Sequence, residues 1–283
     1  MRRHLAIAML TLGALSSVLS AAAAEPPLQL QGEWRQGSIL RGRVPAGTQI
    51  WFNGRVLQLA PGGAFVFGLD RDAPAEAELR IQWPGEPVPQ THRYAVAKRE
   101  YAIQRLEGLP PKMVTPPPEV TARIQADQRM VAAARKRDTP ITHFAETFVW
   151  PCLGRISGVF GSQRILNGQP KQPHYGVDVA VPTGTPMRAP AGGIVSLAHP
   201  DMYYTGGTLM IDHGYGLSSA FLHLSKLLVK EGQVVKQGEV VALTGATGRV
   251  TGPHLDWRMN WFDARVDAEL LVPSMNEVWK PAP

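Results

Sequence analysis

The 283-residue sequence holds a single cysteine, Cys152. An intramolecular disulfide is therefore excluded, and stability has to come from packing or from a bound metal. Cys152 lies far from the N-terminus, so it is not a lipid-bearing N-terminal cysteine. Beside Trp150 and Pro151 it reads as a buried, apolar-like residue rather than a nucleophile. Charged residues are scarce at 18%, too few for a disordered polyelectrolyte. The positive excess is small, +6, and falls to +4 without Arg2 and Arg3. The basic residues are scattered, and the run Arg135-Lys136-Arg137 has no interleaved aromatics. It reads as a solvated helix face, so nucleic acid is not an expected partner. The excess suits screened attraction to an anionic surface. Beyond residue 24 no run is long and apolar enough to span a bilayer, so no stable membrane insertion is expected.

Proline and glycine are abundant, 25 and 28 residues, which favours turn-rich β structure over a helical bundle. Residues 1–24 read as a signal peptide: Arg2 and Arg3, an apolar stretch from Leu5 to Leu19, then the small residues Ser20 to Ala24. Processing before Glu25 would export the chain, to the periplasm or beyond. Residues 25–100 carry short alternating runs such as Leu28-Gln29-Leu30 and Phe65-Val66-Phe67. Asn53-Gly54 between apolar runs predicts a hairpin, and Pro61-Gly62-Gly63 a second turn. The expectation is a small N-terminal β-sandwich, with a role in packing, wall binding or shielding of a groove. Residues 101–149 form a proline-rich linker (Pro110-Pro111, Pro116-Pro117-Pro118) followed by a helix over Glu119 to Arg137. Val120, Ile124 and Val131 share one of its faces. Residues 150–272 are rich in Val, Ile, Thr and Gly, and predict a folded, mostly antiparallel sheet. Residues 273–283 remain as a tail.

Ligand-type residues cluster in the 150–272 segment. His174-x-x-x-Asp178 offers imidazole and carboxylate, both natural zinc ligands. That spacing alone also fits a surface histidine and a turn aspartate. His223 ends an apolar run and alone reads as a structural histidine. In Gly252-Pro253-His254-Leu255-Asp256-Trp257, a strand would put His254 and Asp256 on one face and Leu255 and Trp257 on the other. Two polar residues on one face are costly without a partner, which a hydrogen-bonded edge could supply.

In order, these motifs resemble those of the lysostaphin-type zinc metallopeptidases, which cut peptidoglycan. The resemblance runs from about Ile156 to Leu271. It includes Gly158-Val159-Phe160-Gly161, His174-x-Gly176-Val177-Asp178, Pro182-x-Gly184-Thr185-Pro186 and Ala189-x-Ala191-Gly192-Gly193-Ile194-Val195. It continues through Ile211-Asp212-His213-Gly214, His223-Leu224-Ser225, Gly232-x-Val234-Val235-x-x-Gly238 and Gly252-Pro253-His254. It implies one zinc ion per chain held by His174 and Asp178, with His223 and His254 as catalytic histidines that activate or orient water. It also implies an exported endopeptidase acting on peptidoglycan peptide stems.

Asp256 departs from the pattern, because the family's third ligand is a histidine. Aspartate is an acceptable zinc ligand, and its oxygens lie as many bonds from the backbone as histidine Nδ1. One histidine and two carboxylates cancel a 2+ charge, which predicts a weaker Lewis acid, and so a slower enzyme or another metal preference. On that count Asp256→His would raise hydrolysis. The competing class is a non-catalytic peptidoglycan-binding regulator that activates other wall hydrolases. A biotinyl-like carrier domain shares the Gly-x-Val-Val-x-x-Gly rhythm but leaves the histidines unexplained and offers no lysine in an attachment turn.

Overall fold

The computed structural model describes residues 28–106 and 118–280. The expected signal peptide and the prolines from Pro110 to Pro117 lie outside these residues. The fold is mostly β, with an N-terminal sandwich, a connecting helix and a C-terminal antiparallel sheet.

The N-terminal part contains a three-stranded and a four-stranded sheet. Asn53 and Gly54 adopt φ 45° and 81° between the antiparallel strands Gln49–Phe52 and Arg55–Val56. Left-handed backbone at both central residues is what a tight hairpin turn demands. Inward residues of the two sheets, among them Leu40, Ile50, Phe65, Phe67, Leu79 and Ile81, are completely buried. This part also packs on the C-terminal sheet, where Phe52 meets Trp261 edge-on with centroids 5.8 Å apart.

The C-terminal part is organised by one eight-stranded antiparallel sheet. The strands Gly206–Gly214 and Leu217–Leu224 lie at its centre and are buried along their whole length. On one side they lead to Gly193–Met202; on the other they lead to Leu255–Trp261, then Gly176–Ala180 and Arg155–Gly158. Along Leu255–Trp261 the period of two places Leu255, Trp257, Met259 and Trp261 in the hydrophobic core. His254, Asp256 and Arg258 therefore face the other way.

The helix runs Thr121–Arg135, preceded by a 3-10 turn at Pro118–Val120, so it begins two residues later than the composition suggests. It lies on the sheet: Met130, Val131 and Ala134 pack against Leu197, Met202, Met210 and Ala220. Arg123 clamps Asp201, donating to its carbonyl (2.7 Å) and carboxylate (2.8 Å), and Asp127 accepts from Tyr203 N (2.7 Å). Within the supposed connector, Phe144 and Phe148 belong to the hydrophobic core, each 1% exposed. Cys152 is buried, and desolvation pushes its thiol up to about 12, which leaves it inert as a nucleophile. The tail is docked by Trp150 Nε1, which donates to Pro273 O at 2.8 Å.

Candidate metal centre

Strand register builds the centre. Asp178 and Asp256 are directly opposed on the antiparallel strands Gly176–Ala180 and Leu255–Trp261. Like charges facing one another across a strand pair are destabilising, so this register requires a positive partner. His174, in the loop before the first strand, is one: its Nε2 lies 3.1 Å from Asp178 Oδ1 and 3.5 Å from Asp256 Oδ2. His174 Nδ1 donates to Val159 O at 3.2 Å, which turns Nε2 toward the carboxylates.

Both His174 Nε2 and Asp178 Oδ1 are buried without a hydrogen-bond partner. Two buried atoms of ligand type that meet at 3.1 Å without a well-formed hydrogen bond are suited to sharing a cation. Two ligands about 2.0–2.2 Å from one tetrahedral ion would stand about 3.3–3.6 Å apart. One ligand atom from each of His174, Asp178 and Asp256 falls within 4.8 Å of the others. The donor set and its spacing fit zinc. Burial works against a charged His174, but Asp178 and Asp256 outweigh it and raise the imidazole to about 10. Those carboxylates would equally draw a metal cation.

Two glycines make room. A Cβ on Gly158 would come within 2.1 Å of Asp178 Oδ2, and one on Gly176 within 2.2 Å of Asp256 Oδ1. Neither glycine has positive φ, so the requirement is space rather than backbone freedom. Gly158→Ala is expected to push Asp178 aside and weaken zinc binding about tenfold or more, with the change read by competition against a chelating dye.

His223 and His254 lie beside this group, with ring centroids 4.9 Å apart. His254 Nε2 is 3.7 Å from Asp178 Oδ1. Nδ1 of His254 donates to Gly252 O and Nδ1 of His223 to Thr247 O, each at 2.9 Å. With Nδ1–H so engaged, Nε2 is the acceptor nitrogen of each neutral ring. His223 has left-handed backbone, φ 64°, uncommon outside glycine. Its amide donates to Thr205 O at 2.8 Å. Desolvation lowers its pKa below the ordinary histidine value, favouring the neutral base. All five residues singled out in the sequence thus converge in one place. His213 does not join them: it is fully buried, with Nδ1 on Gly192 O and Nε2 on Ser219 Oγ, both at 2.7 Å.

Two contributors escape a motif-based reading. Arg258 grips Asp256, with Nε at 3.0 and 3.1 Å from the two carboxylate oxygens and Nη2 at 2.6 Å from Oδ2. Burial alone would raise Asp256, but Arg258 and His174 hold it well below the usual carboxylate range. The available signal was its place two residues after Asp256, on the same strand face. The second is Arg71 of the N-terminal part, buried and donating to Gly161 O from Nε (3.0 Å) and Nη2 (2.7 Å). Gly161 N in turn donates to His174 O at 2.7 Å. The N-terminal part therefore braces the loop that carries His174, and no sequence pattern announced it.

Residues 172–268 match the model of peptidase family M23. The peptidoglycan DD-endopeptidase ShyB of Vibrio cholerae is 46% identical over 98 residues, covering 34% of this chain and 22% of that protein. The DD-carboxypeptidase/endopeptidase Mpg of Neisseria meningitidis is 37% identical over 119 residues, 42% of this chain and 26% of that protein. The chain thus spans about a quarter of the length of these curated relatives. A crystal structure from Pseudomonas aeruginosa described as a peptidase M23 superposes with a TM-score of 0.66 at 30% identity, covering 84% of this chain and 95% of that one. With the candidate metal-ligand cluster inside the matched residues and a solved M23 structure matched almost end to end, the chain belongs to peptidase family M23.

Proposed function

We propose that this chain is an exported zinc metalloendopeptidase that hydrolyses the peptide cross-links of peptidoglycan. The observation that carries the reading is the cluster of His174, Asp178 and Asp256, with the His223–His254 pair beside it. Those three residues would hold the zinc, which supplies Lewis acidity toward water and the scissile carbonyl. The remaining work falls to this chain's histidines. The Nε2 atoms of His223 and His254 hold and move the proton between attacking water and leaving amine, and in protonated form donate to the developing oxyanion. Their Nδ1 contacts to Thr247 O and Gly252 O fix ring orientation and tautomer.

The choice of substrate is supported by the relative named as a peptidoglycan DD-endopeptidase. Export is supported by the Arg2-Arg3 start, the apolar run and the small residues before Glu25. No helix among the described residues is long and apolar enough to cross a membrane. The test is digestion of purified cross-linked peptidoglycan with product analysis. Chelation is expected to abolish release of peptide fragments, and added zinc to restore it. Wall binding without cleavage by the zinc-loaded chain would replace this reading with the regulator of other wall hydrolases.

A further inference from the structure

Arg258 stands in a slot shaped for it. Its cross-strand neighbours are Gly176 on one side and Ala220 on the other. A Cβ on Gly176 would lie 2.7 Å from Arg258 Cγ as well as 2.2 Å from Asp256 Oδ1. The small neighbours let the guanidinium stem lie flat along the sheet and turn its fork back onto a carboxylate on its own strand. Asp256 is 3% exposed at its side chain and Arg258 28%, so the pair is screened only in part. A planar fork on a carboxylate fixes the direction of the oxygens as well as their charge.

We propose that Arg258 is the positioning residue that makes an aspartate workable at the third metal-ligand position. The inference rests on the zinc-peptidase reading above. Asp256 with Arg258 is a neutral unit, as a neutral histidine is. The group His174, Asp178, Asp256 and Arg258 then presents one net negative charge to a cation, the same as two histidines and one carboxylate. The fork holds both Asp256 oxygens, so the carboxylate that meets the metal is already oriented; ligating carboxylates are commonly held this way.

The charge balance predicted from the ligands alone thereby changes sign in its consequence. Asp256→His, taken singly, leaves the Arg258 guanidinium without its partner and facing the metal. It is expected to weaken zinc binding rather than improve the site. Arg258→Met keeps most of the stem between Gly176 and Ala220 and removes the charge. In the natural background it removes a repulsive charge and a useful clamp together, two effects that oppose each other. In the Asp256→His background only the repulsion is removed.

The experiment is a double-mutant cycle on the full chain. Zinc affinity is measured by competition with a chelating dye for the natural protein, Asp256→His, Arg258→Met and the double variant. Thermal unfolding of the zinc-stripped proteins checks folding. Arg258→Met is expected to improve zinc affinity at least about tenfold more in the Asp256→His background than in the natural one. If Asp256→His does not fold, Asp256→Asn, which keeps the shape of the side chain, replaces it in the cycle with the same expectation. An equal effect of Arg258→Met in both backgrounds makes Arg258 a bystander charge and overturns the proposal alone. A natural protein that binds no zinc overturns the zinc-peptidase reading and this proposal with it.

Discussion

His223→Ala and His254→Ala are each expected to lower cross-link cleavage by about a hundredfold or more while zinc stays bound. These two residues stand beside the candidate ligand group of His174, Asp178 and Asp256, which does not include them. His254 Nε2 lies 3.7 Å from Asp178 Oδ1, and both rings are tethered through Nδ1 to backbone carbonyls. A side chain that moves protons contributes to the transition state and little to ground-state metal affinity. Rate and zinc content measured side by side on a cross-linked muropeptide check this. Zinc lost from either variant would make that histidine a ligand. Full activity in both, with zinc present, would remove them from catalysis.

Asp256→Ala is expected to show the opposite signature. Zinc affinity should fall by more than the roughly tenfold to hundredfold typical of losing a residue that only hydrogen-bonds a ligand, and activity should fall with it. Alanine removes one of three donors and leaves Arg258 without the carboxylate it grips through three contacts. An unpaired, partly buried guanidinium beside the site adds repulsion to the lost bond. Zinc titration of the purified full chain decides the matter, and unchanged stoichiometry and affinity would take Asp256 out of the site.

The elements most legible in the sequence were those governed by local rules. Asn53-Gly54 forms its turn because two consecutive left-handed residues are required there. His254 and Asp256 share a face because the side-chain period of a strand is two, and Leu255 and Trp257 are buried on the other face for the same reason. The apolar face of the helix, carrying Val131, was readable as well, though what it would cover was not. It lies on Leu197, Met202, Met210 and Ala220, residues 63 or more positions away, which no local period relates to it.

By itself the sequence determined the residue types that could hold a metal, their order, the faces they occupy and the predominance of antiparallel β structure. Folding decided the rest. The pairing of Asp178 with Asp256 is a register between strands separated by some 80 residues, and a shift of one residue would have sent one of them into the core. The bond from Arg71 to Gly161, across 90 residues, joins the N-terminal part to the loop of His174. The surroundings of Asp256 were also a tertiary matter: counting ligand types left out Arg258, which lies between Gly176 and Ala220 and grips the Asp256 carboxylate. Electrostatic energy depends on distances in space, and those distances exist only once the strands are aligned.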